Sequence, residues 1–150
     1  MAITFKTFQE VTDELLDILA DLDQQIFEKP YPREKIAREA TTKHNFSAIV
    51  AYSDETPCAF KAGYEMTARL YYSWIGGVAS DYRGAGIAKT LMAKQHELAK
   101  ELHYQTVRTH TENRFREMLI LNIKSGFEII GVSRGYDGAK TIIMLEKELT

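Results

Sequence analysis

The stretch Val78-Ala79-Ser80-Asp81-Tyr82-Arg83-Gly84-Ala85-Gly86-Ile87-Ala88 carries most of the information about the fold. A β-prone run leads into it and apolar residues at helical spacing follow it, so a glycine turn joins a strand to a helix here. Glycines let the backbone come close to a ligand, and the first N–H groups of a helix have no partner within the helix. The sequence therefore predicts a turn that binds an anion such as a pyrophosphate, to which Arg83 can add a charge-assisted hydrogen bond.

Two common nucleotide-binding motifs do not fit this turn. The pattern Gly84-x-Gly86-x-x-Lys89 lacks the third glycine of a dinucleotide fingerprint, and the chain has no Gly-Lys-Ser or Gly-Lys-Thr ending of a P-loop. Three β-prone runs also precede the turn, whereas a dinucleotide-binding unit begins at its first strand. The turn belongs to another kind of fold, or it is a structural turn with Arg83 merely solvated.

The rest of the chain alternates between strand and helix patterns. Period-two alternation predicts strands, and apolar residues three and four apart predict helices. The predicted strands are Ile3 to Phe8, Phe46 to Tyr52, Cys58 to Met66, Leu70 to Ala79, Tyr104 to Thr111, Glu128 to Arg134 and Thr141 to Leu149. The predicted helices are Leu15 to Ile26, Arg33 to Thr42, Gly84 to Leu102 and Arg114 to Ser125. The order β-α-α-β-β-β-α-β-α-β-β predicts a single α/β domain over residues 1–150, with a mixed sheet and helices on both faces.

Composition excludes several classes of function. The net charge of −2 does not favour binding to nucleic acid or to an anionic membrane. No apolar run approaches the roughly 18 residues that span a bilayer, and the first residues lack the pattern of a secretion signal, so we expect a cytoplasmic location. Cys58 is the only cysteine and is expected to be a buried hydrophobic residue. The histidines show no metal-ligand spacing, so no metal is expected.

The stretch Val78-Ala79-x-x-Tyr82-Arg83-Gly84-Ala85-Gly86-Ile87-Ala88, followed by Leu91-Met92, resembles the acetyl-CoA-binding motif of the GNAT superfamily of N-acetyltransferases. Further along, the resemblance extends to the helix and the Gly-Phe strand start that follow in that family, at Asn113, Met118, Leu121-Asn122, Ser125-Gly126-Phe127 and Gly131. The order of predicted elements is similar over nearly the whole chain. The resemblance implies the GNAT acyl-CoA N-acyltransferase fold, with a mixed, mostly antiparallel sheet of about seven strands and about four flanking helices.

The resemblance also implies that acetyl-CoA is the co-substrate and that its acetyl group passes directly to a primary amine. The backbone N–H groups of Gly84, Ala85 and Gly86 would then bind the pyrophosphate, and the edge from Val78 to Ser80 would pair with the pantetheine amides. A backbone N–H near Val78 or Ala79 would polarise the acyl carbonyl. Asn113 resembles a residue that contacts the pantetheine arm, and it can equally cap the helix after it. The expected cofactor-binding residues are Val78, Ala79, Arg83, Gly84, Ala85, Gly86, Ile87, Ala88 and Asn113.

Two positions depart from the family's pattern. Asn122 stands where the family often has a tyrosine that protonates the leaving thiolate, and Asp81 stands where many members have Gln or Arg. A thiol with a pKa of about 8.5 can leave with help from water or a helix dipole, so Asn122 does not exclude catalysis. It does leave open a second function, an acyl-CoA-binding sensor or interaction module without turnover.

Amine acetylation needs a neutral amine, whereas free amines with a pKa of about 10 are mostly charged at neutral pH. A base or a desolvating pocket must therefore favour the neutral form. Glu65 and His110 are the candidate bases, with Glu112 or a water chain as alternatives.

The resemblance places the acceptor pocket between the early helices, the central strands and the last hairpin. Its expected walls are Phe27, Tyr31, Tyr72, Trp74 and Tyr136. If Tyr72 and Trp74 share a face, the pocket is aromatic. Polyamine, amino acid, antibiotic and protein acceptors all stay open, and a homodimer is compatible with the sequence.

Overall fold

A computed structural model describes residues 2–135, 138 and 140–150. Its strands are β1 (Ile3–Phe8), β2 (Ser47–Ser53), β3 (Thr56–Thr67), β4 (Leu70–Val78), β5 (Thr106–Glu112), β6 (Glu128–Ser133) and β7 (Ile142–Glu148). Its α-helices are α1 (Asp13–Ile26), α2 (Arg33–Thr42), α3 (Ile87–Glu101) and α4 (Arg116–Lys124). The predicted order of elements and the predicted fold class are confirmed.

The strands form one seven-stranded sheet in the order β1-β2-β3-β4-β5-β7-β6. All neighbours are antiparallel except β4 and β5, which are parallel. The last hairpin folds back so that β7 lies beside β5 and β6 forms the edge.

Helices cover both faces of this sheet. Thr12 caps α1 by accepting a hydrogen bond from the N–H of Leu15, and Leu15 and Leu19 are completely buried against the strands. We call the side that α1 and α2 cover, with Phe60 and Tyr64, the α1/α2 face. The opposite side, which α3 and α4 cover, is the α3/α4 face.

Two helices begin later than the sequence predicts. Helix α3 starts at Ile87 rather than Gly84, because Gly86 adopts a left-handed conformation and serves as the N-cap, and residues 80–82 form a short 3-10 helix before it. Helix α4 starts at Arg116, and Phe115 precedes it without a side-chain cap. The prediction that Asn113 caps this helix is therefore wrong. Its backbone N–H instead donates to the carbonyl of Thr141 at 2.8 Å and prolongs the pairing of β5 with β7.

The sheet opens between β4 and β5. The two strands pair only from Leu70 to Ser73 and from Thr106 to Thr109, although β4 stays paired with β3 as far as Val78 and β5 stays paired with β7 as far as Glu112. A bulge in β4 coincides with the divergence, because Ser73 and Ile75 have partners on β3 and Trp74 between them has none. We call the opening between residues 74–78 of β4 and residues 110–112 of β5 the split.

None of the helices in the described ranges is long and apolar enough to cross a membrane.

Candidate active site

The glycine turn lies between the split and α3. Gly84 and Gly86 have φ values of 83° and 79°, which side chains other than glycine rarely adopt. A Cβ atom added to either residue would meet nothing within 4 Å, so the turn borders open space. Thr90 donates to the carbonyl of Gly86 at 3.1 Å, and the N–H groups before it, from Ile87 onward, have no intrahelical acceptor. The turn therefore presents unpaired donors to an open surface, which suits an anion.

Arg83 ties this turn to the end of β4. Its Nε donates to the carbonyl oxygen of Val78 at 3.1 Å, while the residue as a whole is exposed. The side chain thus lies at the mouth of the split, next to the turn.

The backbone of β4 decides which groups face the split. Ala79 donates its N–H to the carbonyl of Cys58 on β3 at 2.9 Å. Backbone groups alternate in direction along a strand, so those of Val78 and Gly76 point away from β3 and toward the split. Of the two donors expected for an acyl carbonyl, Ala79 is therefore already used, and Val78 is the one that faces the opening.

Aromatic side chains line the α1/α2 face beside the split. Tyr31 stacks on Trp74 with ring centroids 5.6 Å apart, and Tyr64 lies 5.9 Å from Trp74 and 5.5 Å from Tyr72. We call these four residues the aromatic cluster. Tyr72 and Trp74 share a face, as their spacing predicts, and the sequence analysis missed Tyr64. Its signal was the alternation of Phe60, Ala62 and Tyr64 on a strand next to theirs.

The other predicted wall residues of the acceptor pocket lie in the segment after α1 and in the last hairpin. Phe27 follows α1, and its ring lies 3.5 Å from the position of a Cβ atom added to Gly77. Tyr31 is held in place because its backbone N–H donates to Asp23 Oδ2 at 2.8 Å. Tyr136 lies outside the described residues.

His110 is the first residue of β5 beyond the paired segment, and it joins the aromatic cluster. Its ring centroid lies 5.0 Å from that of Tyr72, and its Nδ1 lies 3.4 Å from Tyr72 Oη. Nε2 is buried and has no hydrogen-bond partner among the described residues. Burial, with a contribution from the nearby Arg108 charge, lowers the pKa of His110. The imidazole is therefore neutral at neutral pH and can accept a proton.

Carboxylates also surround the aromatic cluster. Glu39 and Glu112 both raise the pKa of Tyr31, after the larger effect of burial. Glu112 follows His110 at an interval of two on β5, so it lies on the same face, and Arg114 Nε donates to it at 2.9 Å. Glu39 has a cationic partner as well, because Lys35 Nζ lies 4.0 Å from it. This part of the site is therefore aromatic, with charges of both signs around it.

Glu65, the other candidate base, lies on the opposite face. It pairs with Tyr71, whose side chain packs in the α3/α4 core, and it accepts a hydrogen bond from Tyr104 Oη at 2.8 Å. The structure therefore does not bring Glu65 and His110 together.

On the α3/α4 face, Lys61 lines a cleft beside the β4 wall of the split, which the sequence did not predict. A narrow cleft there is lined by Phe60, Lys61, Gly76, Gly77, Val78, Ala88, Leu91, Met92, Met118 and Leu121. Lys61 is partly buried, and burial lowers the pKa of its ammonium from 10.5 to about 8. The signal in the sequence was a single lysine within the apolar run from Cys58 to Gly63.

Asn113 and Asn122 lie at different depths beyond the split. Asn113 is exposed just after the end of β5. Asn122 is 2% exposed and follows Leu121, which lines the cleft.

Within residues 2–135, 138 and 140–150, no three His, Cys, Asp or Glu side chains are placed to share a metal ion.

Comparison with known proteins points to one family. The model of the acetyltransferase (GNAT) family matches residues 12–119. No curated protein matches the chain. Among solved structures, the ribosomal-protein-S18-alanine N-acetyltransferase of Escherichia coli is 14% identical and has a TM-score of 0.86, over 99% of this chain and 95% of the other.

Two further structures include a ligand. A GNAT family acetyltransferase from Elizabethkingia anophelis with acetyl-CoA bound is 21% identical over 98% of both chains, with a TM-score of 0.76. Arabidopsis thaliana Naa50 in complex with a bisubstrate analogue is 19% identical over 98% of this chain and 99% of the other, with a TM-score of 0.80.

Proposed function

The chain belongs to the acetyltransferase (GNAT) family, and from that premise we propose that it transfers the acetyl group of acetyl-CoA to the nitrogen of a primary amine. The observation that carries the proposal is the split itself. It has free backbone groups along one wall, the open glycine turn at its mouth and the neutral imidazole of His110 where the strands part.

The residues present fit acetyl-CoA. The N–H groups of the glycine turn and of the first turn of α3, from Gly84 to Ala88, would hold the pyrophosphate. The backbone groups of Gly76 and the carbonyl of Val78 would pair with the pantetheine amides as a neighbouring strand does, which leaves the N–H of Val78 for the acetyl carbonyl. Arg83 lies between these two regions, and Asn113 lies across the split from them. The acetyl-CoA complex of the Elizabethkingia anophelis structure supports this fit.

His110 is the proposed base. With Nδ1–H donating to Tyr72 Oη, the lone pair of Nε2 is left to accept the proton of the amine, directly or through one water. The lowered pKa of His110 keeps this lone pair available at neutral pH. The amine nitrogen then attacks the acetyl carbon, and the N–H of Val78 stabilises the charge on the carbonyl oxygen. Glu65 is not used, because it lies on the other face.

The surroundings of His110 suit an amine that arrives as a cation. The faces of aromatic rings attract ammonium groups, and two rings of the cluster already do so, since Lys35 Nζ lies 5.8 Å from the Tyr31 ring and Lys43 Nζ lies 5.5 Å from the Tyr64 ring. A peptide N-terminus and a small amine both have this chemistry. The Escherichia coli S18-alanine enzyme and the bisubstrate complex of Naa50 support including peptides among the candidate acceptors.

The proposal is tested by measuring thiol release from acetyl-CoA with a panel of amines. The panel comprises short peptides with different N-termini, polyamines and amino acids, and mass spectrometry identifies the acetylated product. Amine-dependent release with acetyl attached to nitrogen supports the proposal. If acetyl-CoA binds but no amine releases thiol, the sensor function replaces it. The variant His110→Gln should still bind acetyl-CoA while losing most of the turnover.

A further inference from the structure

We infer that Lys61 is the acid that protonates the leaving CoA thiolate, in the place of the tyrosine that the chain lacks at Asn122. This inference rests on the proposed acetyl transfer. It concerns the α3/α4 side of the split, whereas the base His110 lies on the α1/α2 side.

The path of the Lys61 side chain follows from its partner on β4. Lys61 pairs with Gly76, and both residues face α3. A Cβ atom added to Gly76 would lie 3.2 Å from Lys61 Cγ and 2.8 Å from the carbonyl oxygen of Phe60. The lysine stem therefore crosses β4 directly over Gly76, where any larger residue would block it. The stem of Lys61 thus leans from β3 over β4, the strand that forms one wall of the split.

Another wall of the cleft comes from α4, the helix that carries Asn122. Met118 and Leu121 of α4 line the same cleft as Lys61, and Asn122 is the next residue of that helix. An asparagine amide cannot supply a proton to a thiolate at neutral pH, whereas an ammonium can. Among the described residues that line the cleft, Lys61 is the only one whose side chain can donate a proton to a thiolate.

Among the described residues, no carboxylate forms an ion pair with Lys61. Burial is the only cause of its lowered pKa, so no charge or hydrogen bond within the described residues offsets it. On α3, His96 senses the charge of Lys61. Its pKa is lowered to about 4 by burial and then by the charges of Lys147 and Lys61, so it is neutral at pH 7. On β4 the same face carries Tyr71, which burial keeps protonated. Glu65, on the same face of β3, is four residues away, about 13 Å along the strand, and is bonded to Tyr104.

These surroundings match the acidity of the donor to that of the leaving group. The pKa of Lys61, about 8, lies near the value of about 8.5 for an ordinary thiol. An acid with a pKa near that of the group it protonates, and near the working pH, is well suited to general acid catalysis.

The proton balance of the step is complete. The substrate ammonium first gives one proton to water through His110. The neutral amine nitrogen then bonds to the acetyl carbon and gives a second proton to His110, and the carbon–sulfur bond breaks with its electron pair on sulfur. Lys61 Nζ gives one proton to that sulfur, so free CoA leaves as the thiol. Water then restores the proton to Lys61, and His110 returns its own to water.

The test compares Lys61→Met with the wild type at saturating acetyl-CoA and amine. The wild-type kcat should fall as the pH rises through about 8, because the acid loses its proton. In Lys61→Met this alkaline fall should disappear and kcat should drop on the order of 100-fold, with little change in the Kd of acetyl-CoA. The Lys61→Arg variant keeps the charge and has no transferable proton, so it should behave like Lys61→Met. Lys94→Met, an exposed position on α3, is the matched control and should behave like the wild type.

A second acetyl donor distinguishes a lysine that acts as an acid from a lysine that only supports the structure. The selenium analogue of acetyl-CoA has a leaving group that is far less basic, so it departs without a proton. Lys61→Met should recover most of the wild-type rate with this analogue. The inference is overturned, while the proposed function stands, if Lys61→Met keeps the wild-type kcat and its alkaline fall. The same holds if Lys61→Met has a low kcat that the selenium analogue does not restore. A wild type that releases no thiol with any amine overturns the proposed function as well.

Discussion

Replacing Lys61 with methionine should make the protein more stable while it impairs the proposed chemistry. Methionine keeps the apolar stem that packs against Leu91 and Met92 and removes the ammonium, which burial disfavours. A charged group that is enclosed without a partner destabilises the folded state. Residues that are retained for function often have such a cost.

The pKa values set the size of the effect. Each pKa unit corresponds to about 1.36 kcal/mol, so lowering the pKa of Lys61 from 10.5 to about 8 costs the folded state at most about 3 kcal/mol at neutral pH. Lys61 is only partly buried, and water in the cleft reduces this value, so we expect a gain of about 2 kcal/mol for Lys61→Met. For a chain of this length, that gain raises Tm by roughly 4–8 °C.

The gain should depend on pH in a defined window. Because the folded-state pKa lies below the unfolded value, the folded wild type binds fewer protons between pH 8 and pH 10.5, and its stability relative to Lys61→Met rises across this range. The advantage of the variant is therefore full below pH 8 and vanishes near pH 10.5.

Urea unfolding of both proteins from pH 7 to pH 10.5 measures this difference, with Lys94→Met as the control. A variant that is less stable than the wild type, or an advantage that does not change with pH, would refute the burial of the ammonium.

Four other substitutions have defined outcomes, one of them a control. Gly84→Ala forces a side chain to a φ of 83° with open space around it, so it should cost about 1 kcal/mol in urea unfolding, and it should weaken acetyl-CoA binding in calorimetry. Gly138→Ala, at a φ of 68°, should cost a similar amount without weakening binding. His110→Gln should lower kcat on the order of 100-fold, and the pH–rate profile should lose the acid limb that the wild type shows below pH 6.5, because the pKa of His110 is lowered from that value. His96 has a folded-state pKa of about 4 against 6.5 in the unfolded chain, so stability should fall as the pH drops from 6.5 toward 4, and urea midpoints of His96→Leu should lack this decline.

The sequence predicted the elements well because their signals are local. Leu15, Leu19 and Leu22 have the spacing of one helix face, and the glycines of the Arg83–Gly86 turn mark the left-handed residues between β4 and α3. The prediction for Asn113 failed for a long-range reason. Its N–H is taken by Thr141 of the last hairpin, and no local pattern announces that contact.

The site was predicted less completely because it depends on register between strands. Alternation shows that Tyr72 and Trp74 share a face, but it does not show which face Glu65 takes relative to His110. The bulge at Trp74 and the end of pairing at Ser73 decide this, and both depend on tertiary contacts. The sequence marks Lys61 only as a lysine within an apolar run, and its pairing with Gly76 is what reveals its path. The cytoplasmic location, the homodimer, and the absence of a metal and of nucleic-acid or membrane partners stay predictions.

The most direct test of the proposed acetyl-CoA site is calorimetry of acetyl-CoA with the wild type, Gly84→Glu and Gly138→Glu. Gly138 lies in the connection between β6 and β7, on the far side of β5 from the glycine turn. Like Gly84 it has a positive φ, so Gly138→Glu controls for both the added charge and the backbone strain. We predict micromolar binding to the wild type and to Gly138→Glu, and no binding to a folded Gly84→Glu, whose carboxylate repels the pyrophosphate. Absence of binding to the wild type, or equal binding by both variants, would contradict the site.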